Sequence, residues 1–164
     1  MSDLIESIEK IAAKIPGYGG YIDREKSRDT DKRLREYISK RLLGIKDSID
    51  RMKAEIMEKG IIDYLSGLDG ICSVTERLSN SVLYSPRGFG GLFGDNKVYE
   101  EELEKLYNFD RNFLKSLDEL DERINKAWET QEKDFSAKIK EMRLIINEIE
   151  SAWKDREDIL NSFQ

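Results

Sequence analysis

Apolar side chains recur along most of this chain in alternating steps of three and four, the spacing that gathers them on one face of an α-helix. The clearest run is Leu34, Ile38, Leu42, Ile45, Ile49, Met52 and Ile56. It predicts a long helix starting near Ile22 or Asp23 and running to Lys59, with Gly60 as its stop. Before it, Leu4, Ile5, Ile8, Ile11, Ala12 and Ile15 define a short amphipathic helix over about 3–14, with Ser2 or Asp3 as N-cap. "IPGYGGY" (15–21) ends that helix, because Pro16 cannot continue it and Gly17, Gly19 and Gly20 permit tight turns. A third helix over about 61–83 carries Ile61, Leu65, Leu68, Ile71, Thr75, Leu78 and Val82 on one stripe. Gly67 and Gly70 lower its propensity by ~1 kcal/mol each relative to Ala, so they are expected to mark a close helix crossing.

Beyond Asp95 the chain has neither Gly nor Pro, and two further seams follow. Leu103, Leu106, Phe113, Leu117, Leu120, Ile124 and Trp128 form one; Phe135, Ile139, Met142, Ile146, Ile149, Trp153 and Leu160 form the other, with polar "ETQEKD" (129–134) between them. A single helix over 99–163 would reach roughly 95 Å, against ~57 Å for the second helix, and would expose its apolar face. A reversal near 129–134 is therefore expected; an unbroken helix that dimerises as a coiled coil is the alternative. The fold class that follows is all-α, an up-and-down bundle of four long helices plus a short N-terminal helix, as one domain over 1–164.

In that topology the loop before the second helix and the loop after the third lie toward the same end. The third helix is shorter by about 15 residues, or about 22 Å. "SPRGFGGLFGDN" (85–96) then has to bridge that distance over the start of the second helix, near 23–37. There "DREKSRDTDKR" (23–33) contains no apolar residue, and Arg24, Arg28, Lys32 and Arg35 share a stripe beside Glu25, Asp29 and Glu36. One reading is a solvated helix end laced with i,i+4 pairs, Asp29 with Arg33 and Asp31 with Arg35, each worth little. The other is that Tyr18, Tyr21, Phe89 and Phe93 cover the stripe and leave arginines to hold an anionic group or a partner's carboxylates. The candidate binding residues are accordingly Tyr18, Tyr21, Arg24, Arg28, Phe89 and Phe93.

"IPGYGGYIDREKSRDTDKRLREYISKRL" (15–42) and "LYSPRGFGGLFGDNKVYEEELEKLYNFD" (83–110) together resemble an uncharacterised family of small prokaryotic helical proteins. That family begins Pro-Gly-Tyr-x-Gly-Tyr, Arg-Glu, Arg-x-x-Asp and carries a later turn rich in glycine and aromatic residues. The resemblance covers about a third of the chain and implies a pairing of the two blocks; it supplies no catalytic residues.

Composition narrows the chemistry. Lys and Arg number 28 against 34 Asp and Glu, a net charge of -6, which opposes non-specific attraction to nucleic acid or anionic lipid. No apolar run approaches the ~20 residues of a transmembrane helix, and "MSDLIESIEK" carries acids where a signal peptide needs a basic start, so a cytoplasmic location is expected. The single cysteine, Cys72, excludes an internal disulfide and, among Ile71, Val74 and Leu78, reads as a buried apolar residue. With no histidine, the usual serine and cysteine triads, Glu-x-x-His di-iron sites and most zinc sites are excluded. Neither metal nor cofactor is expected; Glu100, Glu101, Glu102 and Glu104 fall in a first helical turn, where the helix dipole favours acids without any metal.

The glycine-rich stretch fits no nucleotide motif. Gly88 and Gly90 are followed by Phe93 where the dinucleotide fingerprint needs glycine, and Lys97 sits between Asn96 and Val98 rather than in a Walker sequence. Gly91-Leu-Phe-Gly94 matches the loop of one RNA-binding module whose strands are missing here. The expected function is a non-enzymatic helical interaction or scaffold module, docking a protein partner or forming a homo-oligomer through the end built by 15–21 and 84–98. An alternative is a binding protein, or an unrecognised enzyme, for a small anionic ligand held by Arg24 and Arg28 under the two loops. A second alternative is peripheral membrane association through Phe89, Leu92 and Phe93.

Overall fold

The computed structural model describes residues 2–21, 24–86, 99–129 and 135–162. They form five helices: α1 (Ser2–Lys14), α2 (Arg24–Glu58), α3 (Leu65–Tyr84), α4 (Tyr99–Glu129) and α5 (Phe135–Asn161). The fold is the all-α bundle of four long helices with a short N-terminal helix. α3 begins at Leu65, later than its apolar stripe suggested, because the chain turns after α2. Gly60 N donates to the Met57 carbonyl and Ile61 N to the Ile56 carbonyl, leaving Ile61 half-buried ahead of the helix.

Cross-helix pairs give the directions. Lys53 with Asp69, Ser39 with Ser79 and Arg35 with Val82 run α3 antiparallel to α2. Arg123 with Glu141 and Asp110 with Arg156 run α5 antiparallel to α4, so the chain reverses between them and the unbroken-helix alternative is excluded. Neighbouring helices are α2 with α3 and α4, and α5 with α3 and α4; α1 lies along α4. Among the described residues α3 and α4 make no contact. These two consecutive helices therefore occupy diagonal corners of the bundle.

The predicted seams form the core. Leu34 through Ile56 on α2, Leu68, Ile71, Thr75, Leu78 and Val82 on α3, Leu103 through Ile124 on α4 and Phe135 through Leu160 on α5 are buried at the expected positions. α1 adds Ile11 while leaving Ile5 exposed, and Ile15, just past its end, is buried too. Trp128 is the one seam residue whose side chain lies outside the described set. α3 and α5 cross closely where the glycines fall: a Cβ on Gly67 would sit 2.8 Å from Ile139 Cγ2, and one on Gly70 would sit 2.6 Å from Arg143 Nη2. Cys72 is buried, with Sγ 3.6 Å from Asp50 Oδ1.

Candidate functional site

α2 has 35 residues and α3 has 20, lengths of about 52 and 30 Å. α3 ends level with Arg35, and the first turns of α2 continue past it. No apolar seam exists on those turns, yet they are not solvated on their inner face. Ser27, Thr30, Asp31 and Arg35 are buried, Asp31 and Arg35 to 0% and 1% exposure. Facing them are Asp110 of α4 and Arg156 of α5, at 1% and 0%.

These groups form one ion network. Arg35 Nε donates to Asp31 Oδ2 at 2.7 Å, and its Nη1 donates to the Val82 carbonyl at 2.9 Å and to Ser85 Oγ at 2.6 Å. Arg156 Nε donates to Asp110 Oδ1 at 2.6 Å. Arg156 Nη2 reaches Asp31 Oδ1 and Tyr21 Oη, both at 3.0 Å. Tyr21 Oη itself donates to Asp110 Oδ2 at 2.6 Å. Both guanidinium groups also lie against Trp153, 5.1 Å and 4.9 Å from its ring centre, where the ring's π-electrons attract cations.

The first loop is tied into the same cluster. Tyr18 is buried edge-on to Tyr21, whose ring packs on Tyr107. Tyr21 N donates to Tyr107 Oη, and Thr30 Oγ1 donates to the Gly20 carbonyl at 2.9 Å. Gly20 takes φ +78°, a left-handed conformation, and a Cβ there would lie 2.8 Å from Tyr107 Oη. Tyr21 and Ser85, the inner ends of the two loops, thus bond to one set of buried charges.

Burial would lower Arg156, but the Asp110 and Asp31 carboxylates, with the Tyr21 oxygen beside them, outweigh it and hold its pKa well above the ordinary value. Burial pulls Arg35 below its ordinary value, with Asp31 opposing. Two arginines against two aspartates leave the inner network neutral. Such a network adds little net stability over apolar packing, because desolvation consumes the Coulombic gain, but removing one member strands a buried charge.

Of the sequence candidates, Tyr18 and Tyr21 enter this cluster, whereas Arg28 is exposed. Phe89, Leu92, Phe93 and the side chain of Arg24 lie outside the described residues. Sequence reasoning missed Asp31 as a buried group, and Asp110, Trp153 and Arg156 as its partners. A signal was present: the α4 seam skips from Leu106 to Phe113 and the α5 seam from Trp153 to Leu160. The residues at the skipped steps are Asp110 and Arg156. Stepping the α2 seam back from Leu34 by three and then four reaches Asp31 and Ser27. The helical period continues there with polar residues in the core positions.

Elsewhere, among the described residues, the surface carries open clefts. One of about 520 Å³ lies beside Pro16, Tyr37 and Arg41; one of about 730 Å³ lies between Arg123 and Met142. Arg41 is already engaged, with Tyr37 Oη at 3.0 Å and Asp118 Oδ1 at 2.9 Å. Among the described residues no group of three or more Cys, Asp or Glu side chains is placed to hold a metal ion, and no helix is long and apolar enough to cross a membrane. Comparison with protein-family models, with curated proteins and with solved structures gives no match.

Proposed function

We propose that the chain is a non-enzymatic helical interaction module that docks a protein partner, or a second copy of itself, through the end formed by 15–21 and 84–98. The observation that carries this reading is the convergence of both loops on one buried ion network. Tyr21 and Ser85 are each hydrogen-bonded to it, so the two chain segments leave the bundle from fixed points rather than from frayed helix ends. Side chains held in this way, as Tyr21 and Ser85 are, lose little conformational entropy when a partner docks. Outside the network, Arg28, Asp29, Lys32, Arg33 and Glu36 present charges of both signs to solvent on α2, a pattern that favours selectivity among protein partners over attachment to a uniformly charged polymer or bilayer. Described residues of the 15–42 and 83–110 segments meet at this end, Tyr21 on Tyr107 and Arg35 on Ser85, which supports the same reading.

The test is affinity isolation of the native protein alongside two charge reversals. Arg28→Glu lies at the proposed docking end; Arg123→Glu lies at the opposite end of the bundle. The reading predicts a partner, or self-association seen by sedimentation, that survives Arg123→Glu and is lost with Arg28→Glu. Retention by Arg28→Glu with loss in Arg123→Glu would place the contact elsewhere and overturn it.

A further inference from the structure

We infer that the cluster around Arg35 and Arg156 is, in addition, a binding site for a small oxyanion that keeps a hydroxyl, of the hydrogencarbonate or dihydrogen phosphate kind. Tyr18 Oη, Ser27 Oγ, Arg35 Nη2, Trp153 Nε1, Arg156 Nη1 and Glu157 Oε1 are buried with no hydrogen-bond partner among the described residues. Among the described residues no buried side chain away from this end of the bundle is left in that state. Folded interiors satisfy nearly all buried polar groups, because an unmatched one has lost its water without replacement. Six of them at one end of the bundle call for an occupant.

The groups belong together. Asp31 bridges the two guanidinium groups, one on each carboxylate oxygen. Both guanidinium groups lie on Trp153. Glu157 lies one turn beyond Trp153 on α5, on the same side of that helix, with Oε1 buried. The set has a definite chemical demand. Two guanidinium N-H groups and an indole N-H require acceptor oxygens, while Glu157 Oε1 requires a donor. Counting Glu157, three carboxylates face two arginines, so a dianion without hydrogen is repelled and has nothing to offer Glu157. A monoanion with its own O-H supplies acceptors to the arginines and a proton donor to the carboxylate.

The test uses the full chain in thermal denaturation at constant ionic strength, with chloride, sulfate, phosphate or hydrogencarbonate as the anion. Phosphate and hydrogencarbonate should raise Tm over chloride by roughly 2–4 °C once present at a few times their dissociation constant. Phosphate should act more strongly below neutral pH than above it, and sulfate should match chloride. In Glu157→Gln the side-chain amide can donate, so sulfate should become at least as effective as phosphate. Phosphorus NMR of phosphate with the unaltered chain gives the same answer without a variant: line broadening that hydrogencarbonate competes away and sulfate does not. Equal Tm in all four salts, the result expected if water alone fills the cluster, overturns the inference. So does a wild-type response to sulfate equal to that for phosphate, or no line broadening.

Discussion

Two aspartate–arginine pairs lie two residues apart on the same helix with the same spacing and the same length. Asp29 with Arg33 and Asp31 with Arg35 are both i,i+4 pairs with Nε 2.7 Å from a carboxylate oxygen. Their environments are opposite. The first pair is exposed, at 58% and 44% of side-chain area; the second is at 0% and 1%. Water and salt screen the first, and either partner can be lost with little consequence. The second is embedded in Arg156, Asp110, Tyr21 and Ser85, where each charge depends on the others. The spacing sets which side chains meet; the rest of the fold sets what the meeting is worth.

The sharpest break in this contrast is Asp31→Ala, which leaves Arg35 and Arg156 without a shared carboxylate. It should cost about 3–5 kcal/mol in urea denaturation. Leu42→Ala in the apolar part of the same helix should cost roughly 3 kcal/mol, while Leu42→Met costs less than about 1.5 kcal/mol, because apolar packing tolerates a change of shape at constant volume. Asp31→Asn, also close in volume, should not be tolerated, since an amide offers one acceptor oxygen where two guanidinium groups need two.

A smaller effect repeats the lesson on α3. Gly70→Ala meets only the movable, exposed end of Arg143 and should stabilise by up to ~1 kcal/mol through helix propensity. Gly67→Ala meets the stiff branch of buried Ile139 and should lose that gain or reverse it in the same denaturation series. Burial pushes the Cys72 thiol up to about 11 from an ordinary 9.0. The unfolded thiol therefore ionises first, so its contribution to stability is full below pH 9 and declines as pH rises through that window. Comparing Cys72→Ala with wild type across the alkaline range isolates this decline, and thiol-reagent labelling at neutral pH should be slow in the folded chain. The smallest effect expected is that of Arg33→Ala, with no measurable change in Tm.

The apolar seams were legible residue by residue, because the helical period and the burial of hydrophobic side chains are local rules. They placed the core of all four long helices, the reversal after α4 and the burial of Cys72, and the glycines marked a close crossing at Gly67 and Gly70 without naming α5 as its partner. They did not place the diagonal relation of α3 and α4, which follows from how four faces pack together. The buried network was illegible for a related reason. Asp31 with Arg35 looks the same as Asp29 with Arg33 in a one-dimensional string, and its decisive partners come from α4 and α5. Only the helical period pointed inward, at the interrupted seam steps of Asp110 and Arg156 and at the backward continuation of the α2 seam to Asp31, since a charged residue at a core step of a helix needs a charged partner at another.

The most direct measurement is a pair of double-mutant cycles on α2, one for Asp31 with Arg35 and one for Asp29 with Arg33, each from urea denaturation of the two single variants and the double. A coupling of at least about 2 kcal/mol for the buried pair, with near-zero coupling for the exposed pair, is the result expected from a network that organises this end of the bundle. Near-zero coupling in both cycles would contradict it.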